Sequence, residues 1–383
     1  MNYSRTRTRV YSAASASLFI YSASAIALPM CLVQISHELG LNLTQAGTLG
    51  FITSIEQFFV MIASCFIAGR FGKIRVLRTA LIILSFGLLV FTISKSFSAA
   101  LFLVLFIGLG NSFLEALLTP FVEDLYPNDN GSKMNLLHAF WPIGTCATVL
   151  IFGEALSNGI RWQTLFIALA VIALGINFWY PSHKKIDLPK SRTDFSHMKD
   201  ILKLPRFWIF GFALFFAGGA EGAFAFWSAS YIQIHFGALP RAAALGTACF
   251  AVGMAIGRLV SSGASGILGL KKLILISIAA GLSCSITFFI ITNISSLYIF
   301  LFFMGLSIAC LWPSIQSYAG RILAVDPTIL MIFLSCFGIP GFSSSALFMG
   351  IIGDIYGLHA SFIIAPVYLF LTGLLIIAIK KKH

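Results

Sequence analysis

The sequence predicts an all-α membrane protein in which twelve transmembrane helices form two six-helix bundles, and three observations carry that prediction. Of 383 residues, 58 % are hydrophobic and only 10 % are charged, with a mean hydropathy of +0.95. Soluble globular chains carry about 25 % charged residues, and a soluble chain of this length could not cover its surface with so few. Apolar runs of about twenty residues recur along the whole length, enough to cross a hydrocarbon core about 30 Å thick. The longest polar segment, HKKIDLPKSRTDFSHMKDILKLPR at 183–206, leaves six such runs on either side.

In order, spans are expected near 11–35, 44–68, 79–96, 100–124, 133–156 and 161–181. After the polar segment they follow near 206–235, 241–265, 271–291, 296–320, 328–351 and 358–379. Turn signals separate them: NLT at 42–44, YPNDNGS at 126–132, SNG at 157–159 and VDP at 325–327. The start, MNYSRTRTRV, resembles the basic region of a signal peptide, but a long apolar stretch without a convincing cleavage site follows. A retained first helix is therefore expected. The domain organisation is an N-terminal bundle at 1–182, a cytoplasmic linker at 183–205 and a C-terminal bundle at 206–383.

The halves carry related stretches. Span two ends in AGRFGKIRVLR (68–78) and span eight near SGILGLKKLIL (265–275). Span four holds LFIGLGNSFLEALLTP (105–120) and span ten LFFMGLSIACLWPS (301–314). Parallel repeats of this kind are one of the designs of secondary transporters. The pair Gly253/Gly257 suits close approach of a neighbouring helix.

The formal net charge of +12 raises the question of a nucleic-acid partner. The cations answer it by their placement in short loops and at both termini. With a cytoplasmic N-terminus, the outer loops hold only Lys95, Arg161 and Arg241, Arg258 lies within a span, and the other 21 of 25 Lys and Arg are cytoplasmic. The positive-inside rule then puts both termini in the cytoplasm of a multi-pass protein of the cell (inner) membrane. No nucleic-acid partner is expected.

All seven cysteines fall inside apolar runs, with neither metal-ligand spacing nor the exposed positions of a disulfide framework. They read as small buried hydrophobes. No phosphate-binding loop, zinc-ligand spacing or nucleophile elbow occurs, so no metal, no cofactor and no enzyme activity are expected. The linker is too short for an ATPase domain, and any driving energy must come from an ion gradient. The expected partners are a small-molecule substrate, protons and the lipid bilayer, with the protein a monomer.

Ionisable groups at membrane depth cost a few kcal/mol each, so those present are candidates for function. Glu56 lies mid-span two, Glu115 near the middle of span four and Glu221 at the midpoint of span seven. A carboxyl in a low dielectric can be loaded and unloaded with a proton near neutral pH, as proton coupling requires. His138 opens span five, while Arg258 either pairs with Glu221 or Glu115 or snorkels to the cytoplasm. Glu154 and Asp354, near the outer ends of their spans, are less telling.

Trp141, Trp227 and Trp312 sit within spans, away from the interfacial belts where Trp is usual. Aromatic faces beside the polar groups of Asn111, Gln57, Gln316 and Tyr231 suit a sugar-like ligand, and helix packing accounts for them nearly as well. On span seven, Glu221, Ala225, Ser228 and Tyr231 share one face at helical spacing and form a polar stripe expected to meet a cavity.

Taken together, the chain resembles the major facilitator superfamily over its whole length. AGRFGKIRVLR stands where that family's loop motif lies between spans two and three. Arg70, Gly72 and Lys73 match the motif, whereas Gly69 and Cys65 replace its acid and its upstream glycine. Within the superfamily, GLGNSFLEALLTPFVEDLYP (108–127), NLLHAFWPIGT (135–145), EGAFAFWSASYI (221–232) and GMAIGR (253–258) resemble the fucose permease group of sugar–proton symporters. That resemblance implies a central cavity open alternately to each side, with Glu115 in proton coupling and substrate binding. The group also uses an acid in span one, and YSAASASLFIYSASAIALPMCL (11–32) holds none.

The sequence therefore predicts a secondary active transporter that takes up a small polar solute, such as a monosaccharide, by proton-coupled symport. Glu115, Glu221 and Glu56 are the expected proton-coupling residues. Glu221, Trp227, Tyr231, Asn111, Glu115, His138, Trp141, Trp312 and Gln316 are the expected substrate contacts, and Arg70, Lys73 and Arg258 the gating ones. The alternatives are a proton-coupled exporter of drugs or metabolites and a membrane sensor.

Overall fold

A computed structural model describes residues 3–126, 132–181, 198–323, 325 and 327–379. The turn at 127–131, most of the expected linker (182–197) and the lysines at 380–382 lie outside the described residues, as do the side chains of Cys65 and Asn135. Among the described residues, twelve helical spans are long and apolar enough to cross a membrane, as the sequence predicts. The first six are α1 (Tyr3–Leu39), α2 (Leu43–Phe71), α3 (Lys73–Phe91), α4 (Phe97–Leu125), α5 (Ser132–Ser157) and α6 (Trp162–Trp179). A short α7 (Met198–Leu202) precedes α8 (Pro205–Phe236), α9 (Pro240–Leu268) and α10 (Leu270–Thr287). Span ten is α11 (Ile294–Ile308) plus α12 (Leu311–Leu323), span eleven is α13 (Pro327–Tyr356), and span twelve is α14 (Leu358–Ser361) plus α15 (Ile364–Ala378).

Local chemistry sets these ends. Ser96 and Asn293 cap α4 and α11 by accepting from the backbone amides of Ala99 and Ser296. Asn42 and Gln45 form a reciprocal box at the start of α2, each side chain accepting from the other's amide, at 2.8 and 3.1 Å. Pro205 and Pro240 open α8 and α9, where a missing N–H costs nothing. The turns between α2 and α3 and between α9 and α10 are single glycines, Gly72 (φ 85°) and Gly269 (φ 76°), at matching points of the two repeats. Because one residue suffices for the turn, α3 starts at Lys73, six residues before the expected edge. Span ten breaks ahead of Pro313, which has no amide to continue the ladder, and the Ser314 amide turns back to the Cys310 carbonyl at 2.9 Å.

Internal contacts divide the chain into Met1–Leu41 with Ile52–Thr193, and Asn42–Phe51 with Asp194–His383. In the first unit α1 packs on α4, α5 and α6, and α3 packs on α4 and α6. In the second, α8 packs on spans ten, eleven and twelve, and α10 on spans ten and twelve. Each pair in one unit has its counterpart six spans later, so the repeat suggested by short sequence matches extends to the packing. In lipid such contacts rest on close van der Waals fit at small residues. Gly253 lies against the Phe302 carbonyl, Gly305 against that of Phe250, Gly222 against that of Phe342 and Gly341 against that of Phe215. Large apolar side chains such as Phe102, Val171, Phe178, Leu259 and Ile267 point outward, as suits a lipid-facing surface.

The first turns of α2 cluster with the second unit. Gly47 meets the Ala346 carbonyl, and Gly350 and Gly353 receive Leu43. The Asp354 carboxylate accepts from the amides of Leu43 (2.9 Å) and Thr44 (2.8 Å) and from the Thr44 hydroxyl (2.6 Å). It thus caps, from α13, donors that the helix itself leaves unsatisfied. Asp354→Ala is expected to lower stability by about 1 kcal/mol, the usual cost of a lost cap. A fall in the unfolding temperature of purified protein, smaller in Asp354→Asn, would show it.

Candidate functional site

In the first unit the polar residues of four spans converge. On α4, Asn111 and Glu115 are one turn apart and share a face, as do Trp141 and Thr145 on α5. The centre is Tyr21 of α1, only 7 % exposed. The Glu115 carboxyl and the Gln57 side chain of α2 lie beside its hydroxyl. Its ring stands edge-on to Trp141, with centroids 4.7 Å apart and planes at 61°. Ser24 lies 2.7 Å from Asn111 Oδ1, and Ser22 lies 2.7 Å from both the Trp141 carbonyl and the Thr145 hydroxyl. Gly144 lets α5 approach the Phe19 carbonyl closely, which brings Trp141 and Thr145 within reach of α1.

Glu56 precedes Gln57 and points elsewhere. Its Oε2 is buried against Gly108 and Thr53 and has no hydrogen-bond partner. His138, at the start of α5, is exposed, with Nε2 3.3 Å from the Thr119 hydroxyl.

In the second unit Glu221 and Arg258 form a charge pair at 3.8 Å, with side chains 21 % and 47 % exposed. Arg258 thus takes one of the two partners the sequence left open. The rest of the expected stripe does not open to a cavity. Ser228 bonds back to the Phe224 carbonyl, and Tyr231 is buried with its hydroxyl 2.8 Å from His359 Nδ1 and its ring stacked on His235. Trp227 is fully buried, donating to the Ala346 carbonyl at 3.1 Å. The reason is that α8 is the central helix of its unit and is packed from several sides. The glycines beside Glu221 are filled likewise: Gly218 by the Gly338 carbonyl and the Trp312 ring, Gly219 by Tyr368 and Gly222 by α13. Gln316 donates to the Ser335 hydroxyl at 3.2 Å.

Of the loop cations, Lys73 joins α3 to α4 through Asp124 (2.6 Å) and the Pro120 carbonyl (3.1 Å), with only 9 % of its side chain exposed. Arg70 is exposed, its guanidinium 5.5 Å from the Phe71 ring centre. Among the described residues no three His, Cys, Asp or Glu side chains gather at metal-binding distance.

The cluster therefore pairs a carboxyl with amides, hydroxyls and two aromatic faces at membrane depth. It can orient a polyhydroxylated solute and exchange a proton. Tyr21, Ser22, Ser24 and Thr145 were not singled out from the sequence. The available signal was YSAS at 21–24, small polar side chains within an apolar run.

Comparison with known proteins agrees with this architecture. The family model of the Major Facilitator Superfamily matches residues 13–245. "Membrane protein MosC" of Rhizobium meliloti is 24 % identical over 354 residues, which is 90 % of this chain and 84 % of that protein. The crystal structure of a bacterial homolog to the human lysosomal transporter Spinster, inward-facing and unoccupied, superposes with a TM-score of 0.84. It has 13 % identity and covers 97 % of this chain and 96 % of that one. A variant of the nucleoside transporter NupG gives 0.82 at 12 % identity over 97 % and 99 % of the two chains. At these identities the likeness speaks to the fold, and the family match to membership. The chain belongs to the Major Facilitator Superfamily and is a multi-pass membrane transporter.

Proposed function

We propose that the protein takes up a small polar solute of the monosaccharide type by proton-coupled symport, with Glu115 as the coupling group. The observation that carries this is the gathering of Glu115 and Gln57 about Tyr21, beside Trp141 and Asn111, within the spans of the first unit. Aromatic faces bind the apolar faces of a sugar ring, amides and hydroxyls match its hydroxyls, and a carboxyl supplies an exchangeable proton. The resemblance of 108–127 and 135–145 to the fucose permease group supports the same reading. The charge pair Glu221–Arg258 is a second polar point at membrane depth, and Gln316 and Trp312 are neighbours on the same unit. Trp227 and Tyr231 act in packing, since their polar atoms are used within the bundle.

Protonation of Glu115 removes a charge, and a state that binds the proton more tightly gains population on that account. Solute and proton then move together by alternating access. The distribution of Lys and Arg supports a cytoplasmic N- and C-terminus in the cell membrane. The test is uptake of a panel of labelled monosaccharides by proteoliposomes under an imposed inward proton gradient. Accumulation of at least one sugar, lost when the gradient is collapsed, is expected. Equal uptake with and without the gradient would overturn the coupling.

A further inference from the structure

Each unit must close the end of its last span, whose final carbonyls have no amide ahead of them. In the second unit one cation does this. Lys271, at the start of α10, donates to the Ile377 and Ile379 carbonyls at 3.3 and 2.6 Å, where a positive charge also meets the negative end of the helix dipole. The first unit brings two cations to the same place in its own repeat. Arg9 of α1 donates from Nε to the Trp179 carbonyl at 2.9 Å, and Arg78 of α3 donates from Nε to Oδ1 of the buried Asn177 at 3.2 Å.

The two ends differ in what is left over. The lysine spends its head on carbonyls, whereas each arginine is held through Nε and keeps its planar Nη fork, the part that matches a phosphate. Among the described residues Lys73, Arg161, Lys203 and Arg258 each meet a carboxylate, and Arg9 and Arg78 meet none. The surroundings are those of a membrane interface. Trp179 is 46 % exposed at the end of its span, the belt position usual for Trp. Ile167, Val171, Leu174 and Phe178, spaced to share one face of α6, form an exposed apolar stripe that ends beside it.

We infer that the ends of α1, α3 and α6 form a seat for an anionic phospholipid, with its phosphate on the Nη forks of Arg9 and Arg78 and an acyl chain along the stripe of α6. The charge calls for an anion and the stripe for a chain attached to it, which a free phosphate lacks. The seat is independent of the solute transported.

The test uses the whole protein in phosphatidylcholine vesicles that carry equal small fractions of either brominated phosphatidylglycerol or brominated phosphatidylcholine. Bromine quenches nearby Trp, and the Trp179 contribution is the difference from Trp179→Phe. Stronger quenching by phosphatidylglycerol is expected, an enrichment of about fivefold per arginine, the usual weight of a cation at such a surface. In Arg9→Gln/Arg78→Gln the two lipids are expected to quench alike. Each single variant should lose part of the enrichment and serves where the double variant fails to fold. Equal quenching in the unmodified protein, or enrichment undiminished in the variants, would overturn the seat. Glycerol 1-phosphate at matched ionic strength is expected to leave the enrichment in place. If it abolishes it, the forks take a free phosphate and the lipid assignment falls.

Discussion

Glu115→Gln is expected to abolish solute accumulation driven by a proton gradient, at least tenfold below the unmodified protein, while solute exchange across a membrane without a gradient persists. Glutamine keeps the shape of the side chain and an oxygen that can accept, so the polar cluster around Tyr21 survives. What is lost is the ability to bind and release a proton. Net accumulation needs that cycle, whereas exchange of labelled for unlabelled solute needs only the solute-bound protein to reorient. The unfolding temperature is expected to change little, because one polar group is replaced by another of the same shape. Loss of both accumulation and exchange would instead place Glu115 in solute binding alone. Undiminished accumulation would remove it from the mechanism.

The helices were legible because lipid leaves the backbone no partner but itself, so each span needs about twenty apolar residues and its ends need turn formers. Edges were misjudged where one residue does the work of a loop. Gly72 alone turns α2 into α3, so the expected edge at 79 lies inside the helix. The glycine pair Gly253/Gly257 was legible, since close approach of helices in lipid has few other solutions. The site was less so. Spacing identifies which residues share a face of one helix and says nothing of which neighbour covers that face. Tyr231 shares the polar side of α8 with Glu221 and Trp227 lies within the same span, yet His359 and α13 take their polar atoms. Tyr21 was passed over for the converse reason. An aromatic residue in an apolar run reads as packing until the fold brings Glu115 and Gln57 to its hydroxyl.

The second large effect is expected at Glu221. Glu221→Gln is expected to reduce uptake by an order of magnitude or more, and its origin is separable from loss of structure. The Arg258 guanidinium is 3.8 Å away, and removing the carboxylate leaves it unpaired inside a span. An unpaired cation at the bilayer centre costs about 3 kcal/mol on insertion scales. With nearly half of the Arg258 side chain exposed, solvent and snorkelling reduce that to about 1 kcal/mol. Glu221→Gln should therefore unfold at a slightly lower temperature, and Glu221→Gln/Arg258→Gln should regain the difference because the unpaired charge is gone. Uptake discriminates the two roles of the pair. If Glu221 contacts solute or carries a proton, the double variant stays as inactive as the single one despite its restored stability. If the pair only joins α8 to α9, activity returns with stability. The first outcome is expected, because a pair held at 3.8 Å with nearly half of the Arg258 side chain exposed adds little to the contact of α8 with α9.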